Sequence, residues 1–386
     1  MTRHRVLALT AIVGVGLLGL TGANAATRTP GPMNVGSYAM RVAPLQLQSI
    51  GVMAFGPDAT LYVADSRAGA VYAIDVAETG RDSSRTGMTL KAIDEKVATA
   101  LNTTKSEIRI RDMVAHPLTQ SVYLSVVKGR GEGATPLIVR ITKADKAISV
   151  VSLDMIRHAR AELPNAASRD TMMPWEPGPR SFTMTHLAVG ERELYVAGLS
   201  NEEFKSTLRR VPLPFGQQAV TTKVEIYHTS HDRFETASPI ESMLPVRIGT
   251  RPIVLASYTC SPLVVFDAAA LRGSAVVRGN TIAELGGGNR PFDMIAYTSP
   301  SSGKKYVMIA NSHRTLMRLD LDGIAAAPSM TTPVKQAFQP AGLPYLPVSS
   351  YGVLELDNYN ARNVIMLQRN PADGSLELAT MDLNWL

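Results

Sequence analysis

The chain is poor in cysteine, in tryptophan and in long apolar runs. Of its 386 residues one is cysteine, Cys260, and two are tryptophan, Trp175 and Trp385. A lone thiol excludes an internal disulfide, so packing must hold the fold together. No C-x-x-C-H spacing occurs, which excludes covalently attached haem. Beyond the first twenty residues no segment is apolar enough to span a bilayer, which takes about 20 residues. There is no basic stripe either: 39 basic and 33 acidic residues are scattered along the chain. Phosphate backbones call for clustered positive charge, so nucleic acid is not the expected partner.

One apolar run does exist, at the start. Arg3, His4 and Arg5 precede an uninterrupted apolar stretch from Val6 to Leu20, and "GANA" then places Ala23 and Ala25 at small-residue positions. This is the pattern of a secretory signal peptide, residues 1–25, cut after Ala25. With no cysteine at that point, a lipid anchor there is excluded. Without Arg3 and Arg5 the formal charge of +6 falls to about +4. The expected product is a soluble periplasmic or secreted protein, residues 26–386, forming one domain.

Internal repetition dominates the remainder. "LYVADSRAGAVYAIDV" from Leu61 aligns without a gap on "IVLASYTCSPLVVFDA" from Ile253, and with one deletion on "VMIANSHRTLMRLDL" from Val307. Weaker copies begin at Val122, Leu194 and Val353. Each reads as an apolar strand, a polar turn and an alternating strand, which is a β-hairpin signature. Another short strand precedes each of the first five, as in "RDMVAH" and "FDMIAY". Small antiparallel sheets recurring in this way predict an all-β propeller of six, at most seven, blades. The repeats are longer than the ~40–50 residues of a typical blade, so insertions are expected. Leu90–Asn102 places Ile93, Val97 and Leu101 on one helical face. Residues 163–180 read as a long loop, with Met172, Met173 and Trp175 available to cover a channel mouth or to pack over blade edges.

These motifs, "LYVAD…VYAIDV" and "VMIANS…LMRLDL", resemble the secreted propellers built from NHL or YVTN-like repeats. More distantly, the chain resembles the lactonase propellers of the gluconolactonase and paraoxonase type. The resemblance implies a fold over nearly the whole exported chain, and for the lactonases a central divalent cation held by Glu, Asn and Asp, here Glu241, Asn311 and Asp293. Asn311, however, falls after the second strand of its repeat and not on the first. The tryptophan-rich blade motifs of quinone-dependent propellers are missing.

If the first strand of each blade lines a central channel, Asp112, Glu241 and Asp293 come to or near the axis, with Thr185. Converging carboxylates suit a hard cation such as Ca²⁺ or another divalent metal. The alternative is that they cap strand starts and bind neighbouring backbone. A second candidate metal set is His228, His231 and Cys260. Thiolate and imidazole suit zinc or copper, but two histidines three apart share a side only in a helix-like turn. Otherwise the histidines belong to a polar loop and Cys260 packs as a small apolar residue. The leading functional expectation is an exported module that binds a small molecule or an exported protein. The second is a divalent-cation-dependent hydrolase of lactones or esters. No catalytic set is legible.

Overall fold

The computed structural model describes residues 39–167, 182–201, 205–273, 275–336 and 338–386. The expected leader, and the part of the long loop carrying Met172, Met173 and Trp175, lie outside them. No described helix is long and apolar enough to cross a membrane.

Six antiparallel sheets form six blades around one axis. In ring order the innermost strands are Met53–Phe55 (blade 1), His186–Val189 (blade 2), Ile240–Ile248 (blade 3), Pro291–Thr298 (blade 4), Val353–Asn358 (blade 5) and Ile108–Ala115 (blade 6), each against the next and the sixth against the first. The second strands read LYVA, IVLA and VMIA with no polar interruption because each blade is sandwiched between two others. Their odd and even residues serve different neighbours. Leu61 and Val63 pack toward blade 6, while Tyr62 and Ala64 pack toward blade 2. Ile253 and Leu255 pack toward blade 4, while Val254 and Ala256 pack toward blade 2. Six apolar clusters result, one per blade interface. Truncating a core leucine such as Leu61 would cost about 2–5 kcal/mol.

The chain does not visit the blades in ring order. After three strands of blade 1, Met53–Phe55, Thr60–Asp65 and Ala70–Asp75, it steps back around the ring to blade 6. It then returns to give blade 1 its fourth strand, Ile156–Glu162. On the way, residues 76–88 cross blade 6, held where Asp82 N–H donates to the Leu118 carbonyl and Gln120 Nε2 donates to the carbonyls of Asp82 and Ser84. Thr89–Leu90 then joins the outer edge of blade 5, opposite Leu378 and Ala379. The ring is thus closed by an early segment pairing with the last blade. This places Leu90 in a strand and shortens the expected helix to Ile93–Ala100, whose Ile93 and Val97, with Leu101, fill the space between blades 5 and 6. The repeat from Val353 is also phased differently from its relatives. Val353–Asn358 is an innermost strand and Asn363–Arg369 the second, whereas the other repeats pair second with third.

Candidate functional site

Four innermost strands carry a break in register just before the axial residue: between Ile110 and Asp112, Ile240 and Ser242, Pro291 and Asp293, and Val353 and Glu355. A bulge adds one residue, and a one-residue slip swaps the faces of a strand. That decides which side chains reach the axis. Asp112 and Asp293 do, on equivalent strands. Glu241 is the extra residue of its bulge; its carboxylate accepts from Arg290 Nε and Nη2 at 3.1 Å and from Thr259 Oγ1 at 3.1 Å. Ser242 takes the inner place in blade 3.

The axial side chains stitch blades together. Asp112 of blade 6 accepts the Met53 N–H of blade 1. Asp357 of blade 5 accepts the Ala115 N–H of blade 6 at 2.8 Å, and Asp293 of blade 4 accepts the Leu356 N–H of blade 5 at 2.7 Å. Ser242 donates to the Pro291 carbonyl of blade 4 at 3.0 Å. His186 of blade 2 places Nε2 3.3 Å from Asp293 Oδ1 and, with its proton there, donates across the axis. The segment ahead of His186 is held by Arg209, fully buried, which donates to the carbonyl of Thr183 and also to those of Leu199 and Asn165.

Above these residues opens a cavity of about 960 Å³ lined by all six innermost strands, a volume within the range of small-molecule sites. Followed along each strand, the lining passes from Asp112, His186 and Asp293, through apolar Met53, Leu187, Leu244, Ile295 and Leu356, to a rim bearing Glu191, Arg192, Arg247 and Arg272. Arg247 is paired with Glu191. Buried acids gather at this end of the cavity. Burial, then the charge of Asp293, push the Asp112 carboxyl well above the usual range. Glu355, beside it, is raised by burial and by the charges of Asp112 and Asp293. Burial brings Asp357 up to about 7 against the two backbone N–H groups it accepts. Like charges gathered in a poorly solvated place disfavour their own ionisation.

Glu355 and Asp357 escaped the sequence reading, although "VLELDN" carries a signal: two acids at i and i+2 share one face of a strand. Asn311 lies away from the cavity, its amide donating to the carbonyls of Ile309 and Thr315 and accepting from Asn289. Thr185 immediately precedes the strand of His186, its N–H donating to the Ala197 carbonyl.

The second candidate set lies far out on blade 2. His228 ends the strand Val220–His228, and Glu235 ends the short strand Arg233–Glu235 that pairs back on it. The His231 N–H donates to the His228 carbonyl at 3.1 Å. That turn supplies the same-side geometry that a straight strand would deny, and the imidazole centroids stand 3.9 Å apart. The third close donor is Glu235, with ligand atoms of all three residues within 4.8 Å of one another. Cys260 is outside that group. It occupies the hairpin turn of blade 3 with φ of 64°, half-buried, and its thiol is raised by burial and then by the charges of Glu235, Glu284 and Glu241.

No protein-family model and no curated protein sequence matches this chain. Among solved structures it is similar to a glucose dehydrogenase (12% identity, 88% of this chain and 98% of that one, TM-score 0.33). It is also similar to a virginiamycin B lyase from Staphylococcus aureus (10%, 89% and 99%, TM-score 0.38). A third is the PQQ-bound aldose sugar dehydrogenase of Streptomyces coelicolor (13%, 89% and 96%, TM-score 0.33). All three are propellers.

Proposed function

We propose that the chain is an exported binding module whose axial cavity takes a small molecule presenting a positively charged group, or a divalent cation, to Asp112, Asp293 and Asp357. One observation carries this reading: buried acids from three blades, Asp112, Asp293 and Asp357, line one cavity of about 960 Å³, and burial with neighbouring negative charge hinders the ionisation of Asp112 and Asp357. A bound cation would relieve that repulsion. The arginines at the rim suit a ligand with an anionic far end. Hydrolysis of lactones or esters around a divalent ion is the alternative use of the same floor, but of Glu241, Asn311 and Asp293 only Asp293 lines the cavity.

The test is thermal unfolding against a panel of amines, zwitterions and the ions Ca²⁺, Mg²⁺ and Mn²⁺. A ligand of the proposed kind raises Tm in the wild type and does so much less in Asp112→Asn and Asp293→Asn. Its affinity rises with pH through about 7, because Asp357 must lose its proton to meet a cation. A ligand bound equally by both variants, or more tightly at low pH, would refute the reading. Cleavage of a lactone panel with Ca²⁺ added, lost in Asp293→Asn, would favour hydrolysis.

A further inference from the structure

We propose that His228, His231 and Glu235 form a mononuclear zinc-class site on the outer hairpin of blade 2, independent of the axial cavity. The three donors are already gathered. Glu235 Oε2 accepts from His228 Nδ1 and Oε1 from His231 Nδ1, both at 2.7 Å. Tetrahedral zinc with bonds of about 2.0–2.1 Å sets its ligands roughly 3.3 Å apart. Admitting the ion therefore means opening each contact by about 0.6 Å and moving two protons, not rebuilding the loop.

The surroundings grade from closed to open, as a site with one exchangeable position requires. The His228 side chain is 1% exposed, that of Glu235 10% and that of His231 41%. One side is therefore walled by protein and the fourth coordination position faces solvent. Ser238 Oγ donates to Glu235 Oε2 at 2.6 Å and orients the carboxylate from behind. Among the described residues the His228 ring has no polar anchor apart from Glu235, since its Nε2 is buried with no hydrogen-bond partner there. Two borderline imidazoles beside one hard carboxylate suit Zn²⁺ and its neighbours, and the nitrogen donors suit Ca²⁺ or Mg²⁺ poorly.

One group opposes the ion. Arg233 Nε lies 2.9 Å from Glu235 Oε1. Its side chain is 68% exposed, so it can swing into solvent at little cost. That makes it diagnostic: removing Arg233 tightens a metal site, whereas it only weakens a cluster that exists for its hydrogen bonds.

The experiment uses the purified full-length chain, stripped with chelator, titrated with Zn²⁺ by calorimetry and with Co²⁺ by visible absorption. The expected result is one tightly bound ion per chain that depends on His231 and Glu235, with d–d bands and no thiolate charge-transfer band. His231→Ala and Glu235→Gln lose more than about 100-fold in affinity, since even an outer-shell partner is worth 10–100-fold. His231 is exposed enough that its variant tests the site without threatening the fold. Arg233→Ala binds more tightly, while Cys260→Ser binds as the wild type does. Affinity falls as pH drops, because protons compete with the ion for its ligands. The assignment is overturned if the wild type takes up no stoichiometric ion. Uptake unchanged in His231→Ala and Glu235→Gln, or lost in Cys260→Ser, overturns it equally.

Discussion

Carboxylates face opposite conditions at the axis and at the blade 2 hairpin. At the axis, Asp112, Glu355 and Asp357 sit among one another and among backbone, and burial with like charge raises all three. At the hairpin burial also acts on Glu235, yet hydrogen bonds from His228, Ser238 and His231 outweigh it and hold the carboxyl far below its ordinary value. Burial alone therefore does not set the charge of an acid. The count of donors aimed at it, against the count of like charges, decides. At the axis neighbouring negative charge adds to burial. The hairpin has a carboxylate already satisfied by groups that can also bind metal.

The largest effect that would sharpen this contrast is expected from Asp293→Ala. It strands the buried N–H groups of Leu356 and Met294 and removes the partner of His186. A loss of about 3 kcal/mol follows, read as a lower urea midpoint at unchanged slope. Asp293→Asn, which keeps an acceptor oxygen, should lose clearly less. Equal losses would mean that the axial acids are not structural acceptors.

Next in size is the pH dependence, and its sign differs between the two regions. Glu235 is depressed on folding, so its contribution is present above the usual carboxylate value and is lost as pH falls below it. Asp112, Glu355 and Asp357 are raised, so folding loses stability as pH climbs from about 4 toward about 7, the value of Asp357. Glu235→Gln should flatten the acid limb of a stability–pH curve, and Asp357→Asn the limb between about 4 and 7. If either variant flattened the opposite limb, the comparison would break.

The smallest effect belongs to Arg290→Ala. It frees Glu241 from an ion pair with a guanidinium 46% exposed, worth about 1 kcal/mol or less in denaturant unfolding. Because Glu241 points away from the axis, ligand binding in the cavity should not change. A change would return Glu241 to the axial group.

Local pattern made the blades legible. Runs such as LYVA and VMIA need only their own residues to declare a strand covered on both faces, and Asp112 and Asp293 could be equated because RDMVAH and FDMIAY repeat one strand pattern in two blades. By itself the sequence thus determined the repeat, the propeller class and two of the axial acids. Tertiary structure alone decided the rest. It set the visiting order of the blades and the closure of blade 5 by Thr89–Leu90, because pairing between segments nearly 300 residues apart leaves no local trace. It put Ser242 in the place expected of Glu241, because a bulge shifts the facing by one residue and is settled by the partner strand. It also brought Glu235 to His228 and His231, because a tight turn overrides the alternation that a strand would impose.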